Sequence, residues 1–272
     1  MPLVDVKGVR IYYELHGEAG EPLVLVHGYT GDLVDWRYVI PEFARTHRVL
    51  AMEHRGHGRS DAPADRDAYS ILQLADDVEA VIEAAGFARY HLVGHSMGGA
   101  VVQEIALRSP ERLLSLTLHD TAYRFAFRGN EAVRGYLAER MRLAEEEGMA
   151  AVADMASPLP PSPLLDEERR AYERERLSRM SPDGFIGAWR GLQGWPGSRD
   201  RLAQIRVPTL VICGEKDAAL VEPAKVLAAE IPNATLAIIP DAAHSPQYER
   251  PELYNAALRA HLSRVAQAAA RA

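Results

Sequence analysis

The stretch LVGHSMGGA, residues 92–100, sets one serine among three glycines directly after an apolar run. Its core, Gly94-His95-Ser96-Met97-Gly98, reads G-x-S-x-G where a strand pattern gives way to a helical one. A strand that turns straight into a helix forces the turn residue into a strained backbone conformation, and small neighbours leave it room. The Ser96 side chain is then raised above the strand end, and the unpaired N–H groups of the helix N-terminus, that of Met97 first, point into the space beside it. The same pattern also fits a glycine loop that packs a helix on a strand or binds a phosphate. The choice depends on what the rest of the chain supplies.

Around this junction, short apolar runs recur, each ending in a polar or glycine-rich turn: RIYYELHG (10–17), PLVLVHG (22–28), RVLAMEHRG (48–56), YHLVGHS (90–96), SLTLHD (115–120), TLVICGEKD (209–217) and TLAIIPDAAH (235–244). Helical patterns such as LQLADDVEAVIEAAGF (72–87) and AVVQEIALRSPERL (100–113) lie between most of them. Nearly continuous apolar strands alternating with helices indicate an α/β fold with a parallel sheet covered on both faces. Binding sites of such sheets lie beyond the carboxyl ends of the strands, so the polar residues ending these runs are where chemistry is expected.

One segment, residues 122–200, interrupts the alternation. It holds NEAVRGYLAERMRLAEEEGMAAVADM (130–155), a proline-rich loop SPLPPSP (157–163), the charged run DEERRAYERERLSRM (166–180) and the aromatic GFIGAWRGLQGW (184–195). Helices and no strands are expected here, forming a cap on a core made of residues 1–121 and 201–272. The charge run from Asp166 to Arg176 reads most simply as a solvated helix face.

A serine hydroxyl needs a base, and the base needs an orienting acid. Of the ten histidines, His244 follows the last strand pattern on a loop from which it can reach Ser96; His95, His119 and His27 adjoin strands or turns and are expected to pack or bond locally. Two carboxylates follow strands, Asp217 and Asp120. Asp217 gives the chain order Ser, Asp, His and is preferred, leaving Asp120 to shape the site or the start of the cap. A second oxyanion donor besides the Met97 N–H is expected from HGYTG (27–31), whose glycines allow the Tyr29 N–H to face the site. Trp189, Trp195 and Asp120 are candidate pocket residues, and Arg55 and Asp61 of EHRGHGRSD (53–61) are expected to brace neighbouring loops.

Composition narrows the partners. A net charge of -7, from 38 acidic against 31 basic residues, leaves no basic footprint for nucleic acid or an anionic membrane. A single cysteine, Cys213, excludes an intrachain disulfide and a thiolate-rich metal site and suits a reducing cytoplasm. No signal segment or long apolar run is legible. A small-molecule substrate is expected, with no nucleic acid or membrane partner, on a monomer or homodimer.

HGYTG, EHRGHGRSD, GHSMGG, GEKD and DAAHSP, in this order, resemble the α/β-hydrolase family over nearly the whole chain. One departure is Glu53, where the family usually has aspartate at the head of its R-G-x-G-x-S loop. The resemblance implies a mostly parallel eight-stranded sheet flanked by helices, a helical cap after the sixth strand, and serine hydrolysis of a small ester or lactone without metal or organic cofactor. Dehalogenases and epoxide hydrolases of this fold carry aspartate at the elbow, unlike Ser96. Carbon–carbon bond hydrolases of the meta-cleavage type often carry tryptophan after the catalytic histidine, where this chain has Ser245. That reading stays open, since GAWRGL (187–192) offers Trp189 and Arg190 in the cap. Cofactor-free haloperoxidases and perhydrolases, which share SMGG, and ligand receptors of this fold that hydrolyse their ligand slowly are further alternative readings.

Overall fold

The computed structural model describes residues 2–125, 131–155 and 162–271. A hairpin opens the sheet: β1 (Leu3–Val6) runs antiparallel to β2 (Val9–His16). Their two-residue turn, Lys7-Gly8, has positive φ at both positions, 54° and 85°. That conformation matches the twist of the strands it joins, and glycine adopts it without strain.

The remaining strands are β3 (Pro22–Val26), β4 (Arg48–Met52), β5 (Tyr90–His95), β6 (Leu113–His119), β7 (Thr209–Gly214) and β8 (Ala234–Ile239). They complete an eight-stranded sheet in the order β1-β2-β4-β3-β5-β6-β7-β8, parallel throughout except where β2 meets β1 and β4. Strand alternation explains its two cores. Val24, Val26 and Leu92 face one side and pack with Leu74, Val78, Val101 and Ile105; Leu23, Leu25 and Val93 face the other and pack with Trp36, Phe43, Tyr254 and Leu258.

Those partners come from helices on both faces: α1 (Ile40–Phe43), α2 (Ile71–Ala84) and α3 (Met97–Arg108). Between β6 and β7 lie α4 (Glu131–Glu146), α5 (Met149–Asp154), α6 (Glu167–Arg179) and α7 (Pro182–Gly194), with no strand among the described residues. After β7 come α8 (Val221–Glu230), α9 (Pro246–Glu249) and α10 (Pro251–Ala269). Residues 157–161 of the proline-rich loop lie outside the described residues. The inserted helices share a small core of Ala144, Met149, Val152, Met180, Phe185 and Ile186. No helix among the described residues is long and apolar enough to cross a membrane.

The charged run does not form a fully solvated face. Asp166 caps α6 by accepting the Arg169 N–H, and acidic Glu167 and Glu168 follow in the first turn, where the helix dipole favours them. Arg169 and Arg176, two turns apart and hence on one face, are buried and mostly buried respectively, with side chains 2% and 12% exposed. Arg176 Nη1 donates to Asp35 (2.7 Å) and Asp32 (3.3 Å), Arg169 Nη2 to Asp35 (2.5 Å), and the Tyr172 hydroxyl to Asp32 (2.5 Å). Two guanidinium groups and two carboxylates thus seat α6 on the 3-10 turn Leu33–Trp36. A run of alternating charges looks solvated until its counter-ions, more than a hundred residues away in sequence, fold against it.

Candidate active site

Ser96 joins β5 to α3 with φ 51° and ψ −116°, a left-handed backbone that only a fully constrained turn maintains in a residue with a side chain. The constraints are visible. The Ser96 N–H donates to His119 O (3.1 Å), and the Thr121 hydroxyl donates to Ser96 O (2.7 Å). A Cβ on Gly94 would come within 2.6 Å of Gly98 O, and one on Gly98 within 2.4 Å of His27 O, so neither position admits a side chain without displacing backbone.

The structure brings Ser96, His244 and Asp217 together. His244 Nε2 accepts from Ser96 Oγ (3.1 Å), and its Nδ1–H donates to Asp217 Oδ2 (2.6 Å). The His244 side chain is half exposed, giving solvent access to the site, whereas Asp217 is 10% exposed. Desolvation alone would lower the His244 ionisation, but the charge and hydrogen bond of Asp217 outweigh it and push it up from 6.5 to about 9. Asp217 moves in the matching direction: burial would raise it, and the His244 charge and hydrogen bond hold it below the usual carboxylate range. Asp120 lies beneath this pair, fully buried, its Oδ1 accepting the Gly214 N–H (2.9 Å). One donor atom each of Asp120, Asp217 and His244 lies within 4.8 Å of the others, the only such cluster among the described residues that could hold a metal ion. Its histidine and one carboxylate are already engaged with each other through Nδ1.

The 27–31 turn abuts this centre: a Cβ on Gly28 would fall 3.0 Å from Ser96 Cβ, and the Gly31 N–H closes the turn onto Gly28 O (3.0 Å). Buried neutral histidines hold it. His27 donates Nδ1–H to Gly28 O (2.7 Å) and accepts the His54 N–H (3.0 Å); His57 Nε2 accepts the Thr30 N–H (3.2 Å). Burial pushes the His57 ionisation down to about 4 and the His27 ionisation well below its ordinary value, so neither charges near neutrality. Met97 is the first residue of α3, so its N–H has no acceptor within the helix. The Tyr29 ring reaches the inserted helices, packing 5.3 Å from Phe185 and 5.7 Å from Trp189, and its hydroxyl donates to Phe185 O (2.9 Å).

Trp189 therefore stands against the turn beside Ser96, but Trp195 does not. Its indole N–H donates to Glu104 Oε1 (2.8 Å), about two turns along α3 from the elbow, and its ring packs near Phe125 in the main core. The pocket expectation for Trp195 is corrected on this ground, and that for Asp120 because its side chain is fully buried beneath Asp217 and His244 and offers a substrate no surface.

Two residues not expected to serve the site hold the His244 loop. His95 Nε2–H donates to His244 O (2.8 Å), and the Glu249 carboxylate accepts the N–H groups of Ala243 (2.5 Å) and Ser245 (3.3 Å) on either side of His244. A glutamate five residues after the histidine, at the end of the short α9, is the only signal the chain offered. The bracing residues fall as expected: Arg55 makes a bidentate pair with Asp77 of α2 (both 2.6 Å), and Asp61 pairs with Arg10 of β2. Glu53, the departure from the usual aspartate, accepts the Arg59 backbone N–H (2.6 Å) and its guanidinium (2.8 Å), so its longer side chain still ties its own loop.

The alpha/beta hydrolase fold family matches residues 21–251 of the chain. A protein provisionally named carbamate hydrolase RutD, from Azorhizobium caulinodans, is 32% identical over 94% of this chain and 96% of its own length. Among solved structures, an enol-lactonase from Burkholderia xenovorans superposes with a TM-score of 0.86 at 28% identity, covering 96% of this chain and all of that one. A thermophilic esterase from Thermogutta terrifontis gives 0.84 at 29%, covering 97% of each.

Proposed function

The chain belongs to the α/β-hydrolase fold family, and from that premise we propose that it is a serine hydrolase of small carboxylic esters or lactones. The observation that carries this reading is the unbroken hydrogen-bond chain from Asp217 through His244 to Ser96, a left-handed residue at the head of a helix. The kinship to an esterase and an enol-lactonase supports an acyl–oxygen bond as the target.

In this mechanism His244 takes the Ser96 proton as Oγ attacks the carbonyl carbon, and Asp217 stabilises the imidazolium that forms. The N–H groups of Tyr29 and Met97 receive the developing oxyanion. Collapse of the tetrahedral intermediate expels the alcohol, which takes the proton from His244; in a lactone it remains tethered to the acyl group. Water, activated by His244, then releases the acid and restores Ser96. The chain's own residues supply every step, and no cofactor is invoked. Residues 122–200 act as a cap, with Trp189 and Tyr29 lining the acyl side.

The test is active-serine titration with a fluorophosphonate, followed by a panel of p-nitrophenyl esters of increasing chain length, lactones and a vinylogous diketone. Stoichiometric labelling at Ser96 and steady-state turnover of esters or lactones are expected, and Ser96→Ala loses both, with kcat down by at least about 10⁴-fold. Retained hydrolysis in the folded Ser96→Ala variant overturns the reading. Preferred cleavage of the diketone transfers the function to carbon–carbon bonds, and a single slow covalent event without turnover transfers it to ligand reception.

A further inference from the structure

The chemistry above makes no use of Asp120, a carboxyl group buried beside the Asp217–His244 pair. It follows β6 directly with φ 44°, is fully buried, and has its Oδ1 fixed by the Gly214 N–H. Its Oδ2 meets no donor among the described residues. The groups that face it bring no cation of their own. From β6, His119 Nδ1 lies 3.6 Å away, but burial and the neighbouring His95 keep that imidazole neutral. From β7 comes the Cys213 thiol and from α10 the Tyr254 hydroxyl, and burial raises the ionisation of both, so neither is charged near neutrality. The remaining neighbours are Asp217 and, beyond it, His244.

Two carboxylates held this close, one of them fully buried, resist ionising together, and burial favours the proton on the inner one. Asp217, in direct contact with His244, is the one lowered. Asp120, which burial and the Asp217 charge both oppose, is raised well above the carboxylate range.

Building on the roles assigned to Ser96, His244 and Asp217 above, we propose that Asp120 is a positioning residue held as the neutral carboxylic acid, donating its Oδ2–H to the Asp217 carboxylate. The proton stays on Asp120 throughout the reaction. Asp217 is then gripped from two sides, by the His244 Nδ1–H and by this acid, so that its carboxylate plane and the His244 ring it orients are both fixed. His244 also senses one negative charge beneath it rather than two.

Asp120→Asn and Asp120→Ala test this in the full-length chain. The amide offers an N–H where the acid offers O–H and keeps a carbonyl for Gly214; alanine offers neither. In Asp120→Ala, kcat should fall about 10²-fold with little change in KM, the loss that a small misplacement of catalytic groups can cause. Asp120→Asn should recover all but a few-fold of that loss. Because the replacement removes no charge, the midpoint of the acidic limb of kcat/KM, which reports His244, should coincide with that of the unsubstituted protein. The infrared difference between unsubstituted protein and Asp120→Asn at pH 7 should contain the C=O band of a buried protonated carboxyl.

Absence of that band, a downward shift of the His244 limb by about one pH unit, or an asparagine variant as impaired as alanine overturns the proposal. If Asp120→Ala does not fold, the band and the limb in Asp120→Asn decide alone. The band is read without turnover, and Ser96 labelling without reference to Asp120, so failure of this proposal and failure of the serine-hydrolase reading are separable.

Discussion

His95 donates its Nε2–H to the main-chain carbonyl of His244 across 2.8 Å, so the residue preceding Ser96 in sequence also holds the loop that carries Ser96's proposed base. The two loops that carry Ser96 and His244 are thereby tied through one side chain. Burial lowers the His95 ionisation to about 3, which keeps the ring neutral, and it stacks on His119 at 4.5 Å. His95→Phe keeps the stack and deletes the donor. Its kcat should fall roughly 10- to 100-fold, as expected for a misplaced base, and Tm by a few degrees, since an orphaned buried acceptor costs about 1–3 kcal/mol. Steady-state kinetics and a thermal melt check this; unchanged kcat refutes the tie.

Asp217→Asn should lower kcat by about 10⁴-fold, the loss expected when an imidazole takes the wrong tautomer. Its pH profile has a definite sign. In the proposed mechanism neutral His244 is the base, and Asp217 raises its ionisation from 6.5 to about 9. Activity therefore climbs through the alkaline range, and the asparagine variant's residual activity should rise at lower pH. The same shift stabilises the fold: the contribution is complete below 6.5 and lost as pH rises through about 9. A kcat/KM titration of both proteins reads the limb.

Asp35→Asn removes the one carboxylate that both Arg169 and Arg176 pair with, leaving Glu173 to the first and Asp32 to the second. Breaking a buried pair in this way costs about 3–5 kcal/mol, or roughly 10 °C in Tm for a chain of this size. Burial would raise the Asp35 ionisation, but the two guanidinium groups hold it far below the usual 3.8. Its contribution is therefore present above 3.8 and disappears only as pH falls through that lower value. Calorimetry and proteolysis of α6 across acid pH test both statements.

Gly98→Ala and Gly135→Ala should have opposite effects. A methyl on Gly98 meets His27 O and Val26 O at 2.4 and 2.5 Å, overpacking that costs about 1–3 kcal/mol and shifts the head of α3. Gly135, in α4, has open space around it, and alanine there should stabilise by about 0.5–1 kcal/mol through helix propensity. Denaturant melts of the two variants give the comparison.

What could be read from the chain, and what could not, follows from range. β3, β5, β6 and β7 are largely apolar in sequence and buried almost residue by residue, and Ser96, Asp217 and His244 each lie just beyond a strand, so local pattern suffices to point to them. His95 and Asp77 gain their roles from partners that no spacing rule connects, and their bonds appear only in three dimensions, whereas Glu249 lies close in sequence to the N–H groups it accepts. Trp195 shows the opposite error: an aromatic at the end of an inserted helix resembles a pocket wall, but its indole N–H is committed to Glu104.

The α6 contact also limits modular reuse of the chain. Asp32 and Asp35 belong to the sheet side and follow the 27–31 turn directly, with Asp35 Oδ2 against the position a Cβ on Gly31 would occupy, 2.4 Å away. A chimera grafting another member's inserted helices onto this sheet would leave both carboxylates buried and unanswered, next to the peptide groups proposed to hold the oxyanion. Exchange of the segment to alter selectivity therefore has to carry Arg169, Tyr172 and Arg176 with it, or replace all five residues together.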